Sequence, residues 1–439
     1  MFVCLGQFFQ TTPTNSMSLE TLQFLLQYMD ANRRFEISNR CPSIRALEKR
    51  VPLEINSLTF KKGSITVNGR KYNLGIVCEY KAGKAPDYVA VENRKGGVQH
   101  DVDEYGIENE SDAYTLTPGD LDIQRRVMKA PRRQDDDGTI RMLENRIREV
   151  QGWLDNRQEP IQQQRVEYRL EDILEEARAR LFVYQCRQLN IPPYYRHFLQ
   201  LSTSQIDDNL EQKTIQRYTH NKKYSEAVKY LTTVLLGGRS SLIYVKSLIF
   251  KCRQGIIRLP VGIKFHVKQL AFSGDVTPTM EALAPILHSS SYPLKKLDFN
   301  VESIFDLENP VVEKAEELKI KMNFDDAPFI PYIMLAFTHQ RIYIKTYLYG
   351  SILEEAIRNL IQVQLPIGTE RIIASYEEPL FENEMVDILK SLDGVVIDDE
   401  NVIIPISEGI QINVSYEPFP EFAPRSKWGI KFLNAAVGN

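Results

Sequence analysis

The side chains that could support catalysis are scattered along the sequence. The histidines lack metal-ligand spacing, because no His-Glu-x-x-His pair occurs and none stands beside a cysteine; they are His100, His197, His220, His266, His288 and His339. Asp325-Asp326 and Asp398-Asp399-Glu400 could supply paired carboxylates, but both groups occur in turn-like sequence, where charged side chains are simply solvated. No Gly-x-Ser-x-Gly nucleophile motif is present. We therefore expect no catalytic residues, no metal and no cofactor.

The sequence also argues against phosphate and nucleic-acid binding. Gly83-Lys84 lacks the upstream glycine of a phosphate-binding loop, and Gly237-Gly238 follows a predicted helix instead of opening one. Lys222-Lys223 beside Tyr224 is a short basic run, whereas a nucleic-acid site needs a basic groove with several stacking rings. The chain has 54 Lys and Arg against 58 Asp and Glu, a net charge of -4. We expect no nucleic-acid partner.

Length and composition are those of an ordinary globular chain. Its 439 residues correspond to about two or three domains. Hydrophobic residues make up 43% of the chain and charged residues 26%. The sequence has no run of 18 apolar residues, so we predict no membrane span. The cysteines are odd in number and far apart, which favours reduced packing residues and a cytoplasmic location; they are Cys4, Cys41, Cys78, Cys186 and Cys252.

A regular pattern of apolar residues begins only after residues 1–16, which we interpret as a tail. From Ser18, a candidate N-cap, apolar residues recur every three or four positions and predict a helix of about three turns; they are Leu19, Leu22, Leu25, Leu26 and Met29. Asp30 can cap a second short helix, and Pro42 is suited to the first position of a third. Because three short helices within residues 17–52 are too small to be stable alone, they need a partner or a docking surface.

Residues 53–80 and 81–138 differ sharply in pattern. Ile65 and Val67 lead into Asn68-Gly69 and out through alternating apolar residues, which predicts a β-hairpin with a type I′ turn. Residues 81–138 contain many Gly, Pro and acidic residues and few large apolar ones. Such a segment buries too little apolar surface to offset its backbone entropy, so we interpret it as a mobile acidic linker.

Residues 139–190 and 191–439 form the remainder of the predicted fold. Apolar residues repeat at three and four positions on both sides of Pro160, which predicts two amphipathic helices that either pack on the next domain or form a free coiled coil. After residue 191, strand-like and helical runs alternate, with spacings of 27 and 23 residues from Leu270 to Leu297 to Ile320. Short strand–helix connections require a parallel sheet. We therefore expect a mixed α+β or α/β fold that ends in an irregular, leucine-rich-repeat-like array.

Residues 17–60 resemble a degenerate F-box. The likeness rests on Leu22, Leu25, Leu26 and Met29, followed by Asp30–Ile37 and Cys41–Leu47. A typical F-box opens with Leu-Pro, whereas Leu19-Glu20 stands here. Three further stretches, 26–38, 96–106 and 258–264, are similar to the nematode F-box C proteins, which carry a long domain of unknown function. The resemblance extends over nearly the whole chain.

The resemblance implies a non-catalytic substrate adaptor. In that family the first apolar helix face docks on the Skp1 subunit of a ubiquitin ligase, and the matching positions here are Leu22, Leu25, Leu26 and Met29. The strand–helix array would then bind a protein target. An alternative is a structural or scaffold protein without a ligase role, in which the same apolar face closes on the hairpin of residues 65–76. The sequence leaves the oligomeric state and the target open.

Overall fold

The computed structural model describes most of the chain. The described residues are 18–81, 83, 85–109, 115–123, 135–156, 164–207, 210–252, 255–346, 350–363, 365–375, 387–391, 395–398, 401–407, 409–418 and 428–437. The predicted N-terminal tail and Asp399-Glu400 of the second acidic group lie outside these residues. So does Pro160, between the two predicted amphipathic helices.

Helices occur along the whole described chain. They are α1 (Leu19–Tyr28), α2 (Ala31–Arg40), α3 (Pro42–Arg50), α4 (Asp87–Lys95), α5 (Asp136–Asp155), α6 (Gln164–Leu189), α7 (Tyr224–Leu236), α8 (Val276–Leu283), α9 (Ile304–Leu307), α10 (Pro310–Lys314), α11 (Ile330–Ala336) and α12 (Gly350–Gln362). Two further segments, Ser289–Ser291 and Phe324–Phe329, form short 3-10 turns. Among the described helices, none is long and apolar enough to cross a membrane.

The strands are β1 (Leu53–Lys61), β2 (Ser64–Val67), β3 (Arg70–Tyr80), β4 (Asp101–Val102), β5 (Glu108–Asn109), β6 (Leu121–Asp122), β7 (Tyr195–Asp207), β8 (Leu210–Thr219), β9 (Ile243–Phe250), β10 (Ile256–Ile257), β11 (Phe265–Phe272), β12 (Lys296–Asn300), β13 (Glu317–Lys321), β14 (Arg341–Thr346), β15 (Glu370–Ser375), β16 (Val396–Asp398), β17 (Asn401–Ser407), β18 (Ile410–Pro418) and β19 (Trp428–Ala436). Most of them join one mixed sheet in the order β16-β17-β18-β19-β15-β14-β13-β12-β11-β9-β1-β2-β3-β7-β8. The mixed α/β fold class is therefore confirmed.

The centre of the sheet is parallel and its two flanks are antiparallel. Strands β1, β9, β11, β12, β13, β14 and β15 are parallel neighbours, and from β9 onward they follow chain order. When successive right-handed crossovers all move in the same direction across a sheet, their helices lie on the same side of it. Among the described connections, none consequently places a helix on the opposite side of this parallel block.

The hydrophobic core lies between the parallel strands and those helices. In β12 and β13 the buried side chains alternate with half-buried ones. In β9 and β11 the same alternation is interrupted once, at Lys246-Ser247 and Lys268-Gln269. The buried set joins apolar residues of α8, α10, α11 and α12 in one continuous cluster. In the sheet Leu270 pairs with Leu297 and Leu297 pairs with Leu318, so residues in register are 27 and 21 positions apart.

The predicted hairpin is confirmed. Strands β2 and β3 are antiparallel and pair Val67 with Arg70. Asn68 and Gly69 both have positive φ values, 47° and 83°, which a two-residue turn of type I′ requires. The same turn anchors the N-terminal helices, because Asn68 Nδ2 donates to Asp30 Oδ2 at 2.7 Å.

Residues 81–138, which composition suggests to be a mobile acidic linker, contain regular elements in their described part. The segment contains α4 and the short pairs β4–β5 and β6–β10. Its acidic residues are used in ion pairs: Asp120 accepts from Lys229 at 3.0 Å and from Arg258 at 2.7 Å. Composition alone missed these contacts, because their partners lie more than 100 residues further along the chain.

The two amphipathic helices are also confirmed, as α5 and α6. They lie beside each other, and Arg178 donates to Gln151 at 2.9 Å between them. Cys186 and Phe182 of α6 pack on Tyr105 and Ile107, so the pair rests on the rest of the fold and is not a free coiled coil. This outcome agrees with the packing alternative.

Candidate functional site

The first helix, α1, carries the predicted partner-binding residues. Ser18 caps its N-terminus, because Ser18 Oγ accepts a hydrogen bond from the backbone N–H of Thr21 at 3.1 Å. The helix ends at Tyr28, and Asp30 then caps α2 by accepting from the N–H of Asn32 at 2.8 Å. Only Met29 and Asp30 lie between α1 and α2, and the Asp30 cap fixes where α2 begins.

The structure divides the four predicted contact residues. Leu26 is fully buried, so its side chain is unavailable to a partner. Leu22 and Met29 are half-buried. Only Leu25 is exposed, at 43%. Part of the predicted stripe therefore packs within the chain, as the scaffold alternative expects, although the α2 residue Asn32 makes the contact with the hairpin through Val67.

A second apolar face of α1 was missed by the sequence analysis. Phe24 is 59% exposed and Tyr28 is 74% exposed, and their ring centroids lie 4.9 Å apart. On a helix of 3.6 residues per turn, positions 24, 25 and 28 share a side that lies opposite position 26. We call Phe24, Leu25 and Tyr28 the α1 face. The i, i+4 spacing of the two aromatic residues is the signal that could have identified it.

Buried hydrogen bonds join the two helices that follow α1, namely α2 and α3. Arg34 of α2 donates to Glu48 Oε1 of α3 at 3.0 Å and to the carbonyl of Val51 at 2.9 Å. Arg239, which follows α7, donates to the same Glu48 oxygen at 2.8 Å. Burial lowers the pKa of both guanidinium groups, while the Glu48 charge opposes that shift. The N-terminal helices are thus locked onto the sheet domain by buried charges.

Lys49 makes a second connection between α3 and α7. Its Nζ donates to the carbonyl oxygen of Val234 at 2.9 Å, within the last turn of α7. That position suits a cation, because the carbonyl groups at a helix C-terminus carry partial negative charge. Burial, reinforced by the charge of Arg239, lowers the pKa of Lys49 to about 8.

The hairpin holds the start of α2 from the other side. Asn32 Nδ2 donates to the carbonyl of Val67 at 2.9 Å, and Tyr72 OH donates to Asn32 Oδ1 at 3.0 Å. All three residues are buried. The hairpin therefore holds α2 directly, and Glu48 of α3 connects α2 to Arg239.

The structure brings together few of the residues considered for chemistry. Among the described residues, no group of three or more His, Cys, Asp or Glu side chains could hold a metal ion. Asp325 is exposed, and the side chain of Asp326 is not described. The described cysteines, Cys41, Cys78, Cys186 and Cys252, are free thiols, and burial raises the pKa of Cys78 to about 12.

Two pairs of histidines come together. His266 and His288 both hydrogen-bond to Ser290 Oγ, at 2.9 and 2.8 Å. The other pair lies at β7. The ring centroids of His197 and His220 lie 6.5 Å apart, and His220 Nε2 lies 3.3 Å from Asp101 Oδ1. Burial, together with the His220 charge, lowers the pKa of His197 to about 4. Asp101 also accepts from the N–H of Tyr224, the first residue of α7, at 3.2 Å. These contacts fasten α7 to the strand pair β4–β5.

Comparison with known proteins adds a family match for the parallel region. Residues 223–371 match a family model described as a domain of unknown function (DUF3557). The match begins one residue before α7 and ends in β15, so it covers most of the strand–helix array and none of α1, α2 or α3. No curated protein and no solved structure matches the chain.

Proposed function

We propose that the chain is a non-catalytic substrate adaptor, in which the α1 face docks a Skp1-like subunit of a ubiquitin ligase and the sheet domain binds a protein target. The proposal combines the F-box resemblance of residues 17–60 with the arrangement of α1. The domain-of-unknown-function match is compatible with it but names no activity.

The observation that carries the proposal is the two-sided apolar character of α1. A helix that is hydrophobic on every side is normally covered on every side. Here one side is covered at Leu26, whereas Phe24, Leu25 and Tyr28 are exposed on the other. Each such side chain contributes roughly 1.5 to 3 kcal/mol when it is buried, so three of them can supply the centre of an ordinary interface after the costs of association.

The experiment is a capture assay with the full chain and purified Skp1. The test variant is Phe24→Asp with Leu25→Asp, which places two charges on the α1 face. The matched control is Gln23→Asp with Gln27→Asp, which adds the same charge to exposed positions of the same helix outside that face. We expect the test variant to lose Skp1 capture at least 100-fold and the control to stay within threefold of the wild type.

Two results would overturn the docking proposal. One is equal capture by both variants, and the other is no capture by the wild type. Because the substituted side chains are exposed, thermal unfolding of both variants should match that of the wild type, which separates loss of a partner from loss of the fold.

The scaffold alternative rests on Leu26. Its complete burial shows that α1 contributes to the chain's own packing. Under this alternative, truncation of Leu26 lowers stability, and charges on the α1 face change neither stability nor binding.

A further inference from the structure

The side of the parallel sheet that faces away from the helices carries an excess of positive charge. Half-buried or exposed cations project there from five neighbouring strands; they are Lys246, Lys268, Lys296, Lys319, Lys321 and Arg341. On strands β9 to β15, three carboxylates share this side, namely Asp298, Glu317 and Glu370. We call these residues the lysine face. Six cations against three carboxylates leave an excess of three positive charges, in a chain whose net charge is -4.

Strand register places these cations at short intervals. Lys296 is the neighbour of Gln269 on one side and of Glu317 on the other, and Glu317 is the neighbour of Arg341. Adjacent strands lie about 4.8 Å apart. Along this row Lys296 and Arg341 alternate with Glu317 and Glu370, so the excess of positive charge comes from Lys246, Lys268, Lys319 and Lys321.

The cations of β12 and β13 crowd around one carboxylate. Asp298 lies 2.6 Å from Lys321 Nζ and 3.5 Å from Lys319 Nζ, so a single negative charge serves two ammonium groups. Partial burial lowers the pKa of Lys319, and the charges of Lys321 and Lys296 lower it further against the opposing effect of Asp298. An additional carboxylate at this position would reduce the repulsion among the lysines.

Two lysines at the β1-side end of this face have no such neighbour. Lys246 and Lys268 are exposed at corresponding positions of β9 and β11, and within the described part of the chain neither makes an ion pair. Beside them, the rings of Tyr244 and His266 lie 5.4 Å apart and provide a partly apolar border. At the opposite end, on β14 and β15, this side of the sheet is less accessible, because Tyr343, Ile372 and Ala374 are buried.

We infer that the lysine face is a binding surface for an acidic segment of a protein. An extended acidic peptide offers carboxylates that match the lysines, and its backbone can pair with the polar side chains between them, Gln269 and Asn300. A nucleic acid fits less well, because the carboxylates of Asp298, Glu317 and Glu370 would repel its phosphates. The ring of Tyr343 is buried beneath Lys296 Nζ, 4.5 Å from its centroid, and is closed to base stacking.

This inference names the target class of the adaptor proposed above, but the surface does not depend on α1. The two can be tested separately. The Phe24→Asp, Leu25→Asp variant should keep binding at the lysine face even if it loses Skp1. Failure of Skp1 docking therefore leaves this inference standing, and the reverse also holds.

The test uses the full chain and a fluorescent 12-residue peptide of alternating Glu and Ser, titrated at low and moderate salt. The test variant is Lys246→Glu with Lys268→Glu. The control is Lys314→Glu with Lys390→Glu, which makes the same change in net charge at exposed positions outside the lysine face. We expect at least tenfold weaker peptide binding by the test variant and at most a twofold change in the control. Lys246→Arg with Lys268→Arg should retain binding, since it keeps both charges.

Three outcomes would overturn the inference. The first is no peptide binding by the wild type at low salt. The second is equally weakened peptide binding by the test and control variants, which would show that only the net charge of the protein matters. The third is tighter binding of a 12-nucleotide oligothymidine that depends on the same two lysines, which would assign the surface to single-stranded nucleic acid. Circular dichroism melting of each variant verifies that the compared proteins are equally folded.

Discussion

Leu25 and Leu26 are consecutive residues of α1, yet Leu25 is 43% exposed and Leu26 is fully buried. A helix advances by about 100° per residue, so neighbours in sequence face well-separated directions. The boundary between the chain's own core and its exposed apolar surface therefore passes between these two leucines. This separation makes it possible to test stability and partner binding on adjacent positions.

Leu26→Ala should destabilise the protein, whereas Leu25→Ala should not. Removing a fully buried leucine side chain costs about 2–5 kcal/mol, because apolar contacts are lost and a cavity remains. An exposed leucine has few such contacts, so we expect a change of at most about 0.5–1 kcal/mol for Leu25→Ala. Urea unfolding of both variants measures the difference. Similar losses at the two positions would mean that α1 is covered on both sides.

Glu48→Gln should be among the most damaging single changes near the N-terminus. The substitution keeps the size of the side chain but removes the charge that Arg34 and Arg239 share in a buried setting. Breaking a buried ion pair from one side typically costs about 3–5 kcal/mol, because an uncompensated charge is left behind. The free energy of unfolding measured in urea tests this expectation.

Glu36→Gln is the matched control for Glu48→Gln. Glu36 lies on α2 of the same unit and pairs with Arg33 and Arg70, but its side chain is 31% exposed. Ion pairs with this degree of solvent contact contribute about 1 kcal/mol or less. If the two substitutions cost the same, the buried arrangement of Glu48 is not what holds the N-terminal helices in place.

The sequence predicted the elements whose signal is local. The hairpin at Asn68-Gly69, the cap at Ser18 and the helices α5 and α6 all depend on residues within a few turns of one another, and all are present. The parallel strands were predicted because their apolar runs are short and separated by helical segments. These features need no knowledge of distant partners.

The remaining structure depends on pairings between distant residues. Strand β1 lies in the parallel block because Leu58 pairs with Leu248, far along the sequence, and local patterning does not reveal such a pairing. The hairpin β7–β8 was missed because its polar strands, with exposed Ile215 and Tyr218, lack a regular apolar alternation. Periodicity also cannot tell which of two apolar helix faces is covered, and for this reason the sequence analysis chose Leu26 and passed over Phe24.

Proton uptake by His197 in the unfolded chain should lower the stability of the folded protein in mild acid. Its pKa in the folded state is about 4, below the ordinary value of 6.5, so the unfolded chain takes up the proton first. As the pH falls from about 6.5 to about 4, this group should therefore lower the free energy of unfolding by roughly 3 kcal/mol, and no further below that range. The difference in unfolding free energy between wild type and His197→Gln, measured across this range, isolates the contribution from that of the carboxylates. A titration midpoint of His197 near 6.5 by NMR would contradict it.

Gly75→Ala in β3 should destabilise the chain through a direct clash. A Cβ atom at this position would lie 2.2 Å from the carbonyl oxygen of Gly96, and backbone atoms cannot yield as the end of a flexible side chain can. We expect a loss of about 1–3 kcal/mol or more, as is typical of overpacked sites. Gly152→Ala in α5 is the matched control, because apart from the adjoining helix backbone no atom of the described residues lies within 4 Å of the added methyl group. There we expect a gain of about 0.5–1 kcal/mol, since alanine favours a helix interior over glycine. Thermal unfolding of the two variants should shift in opposite directions, and a gain in stability for Gly75→Ala would show that α4 does not hold Gly96 against the sheet.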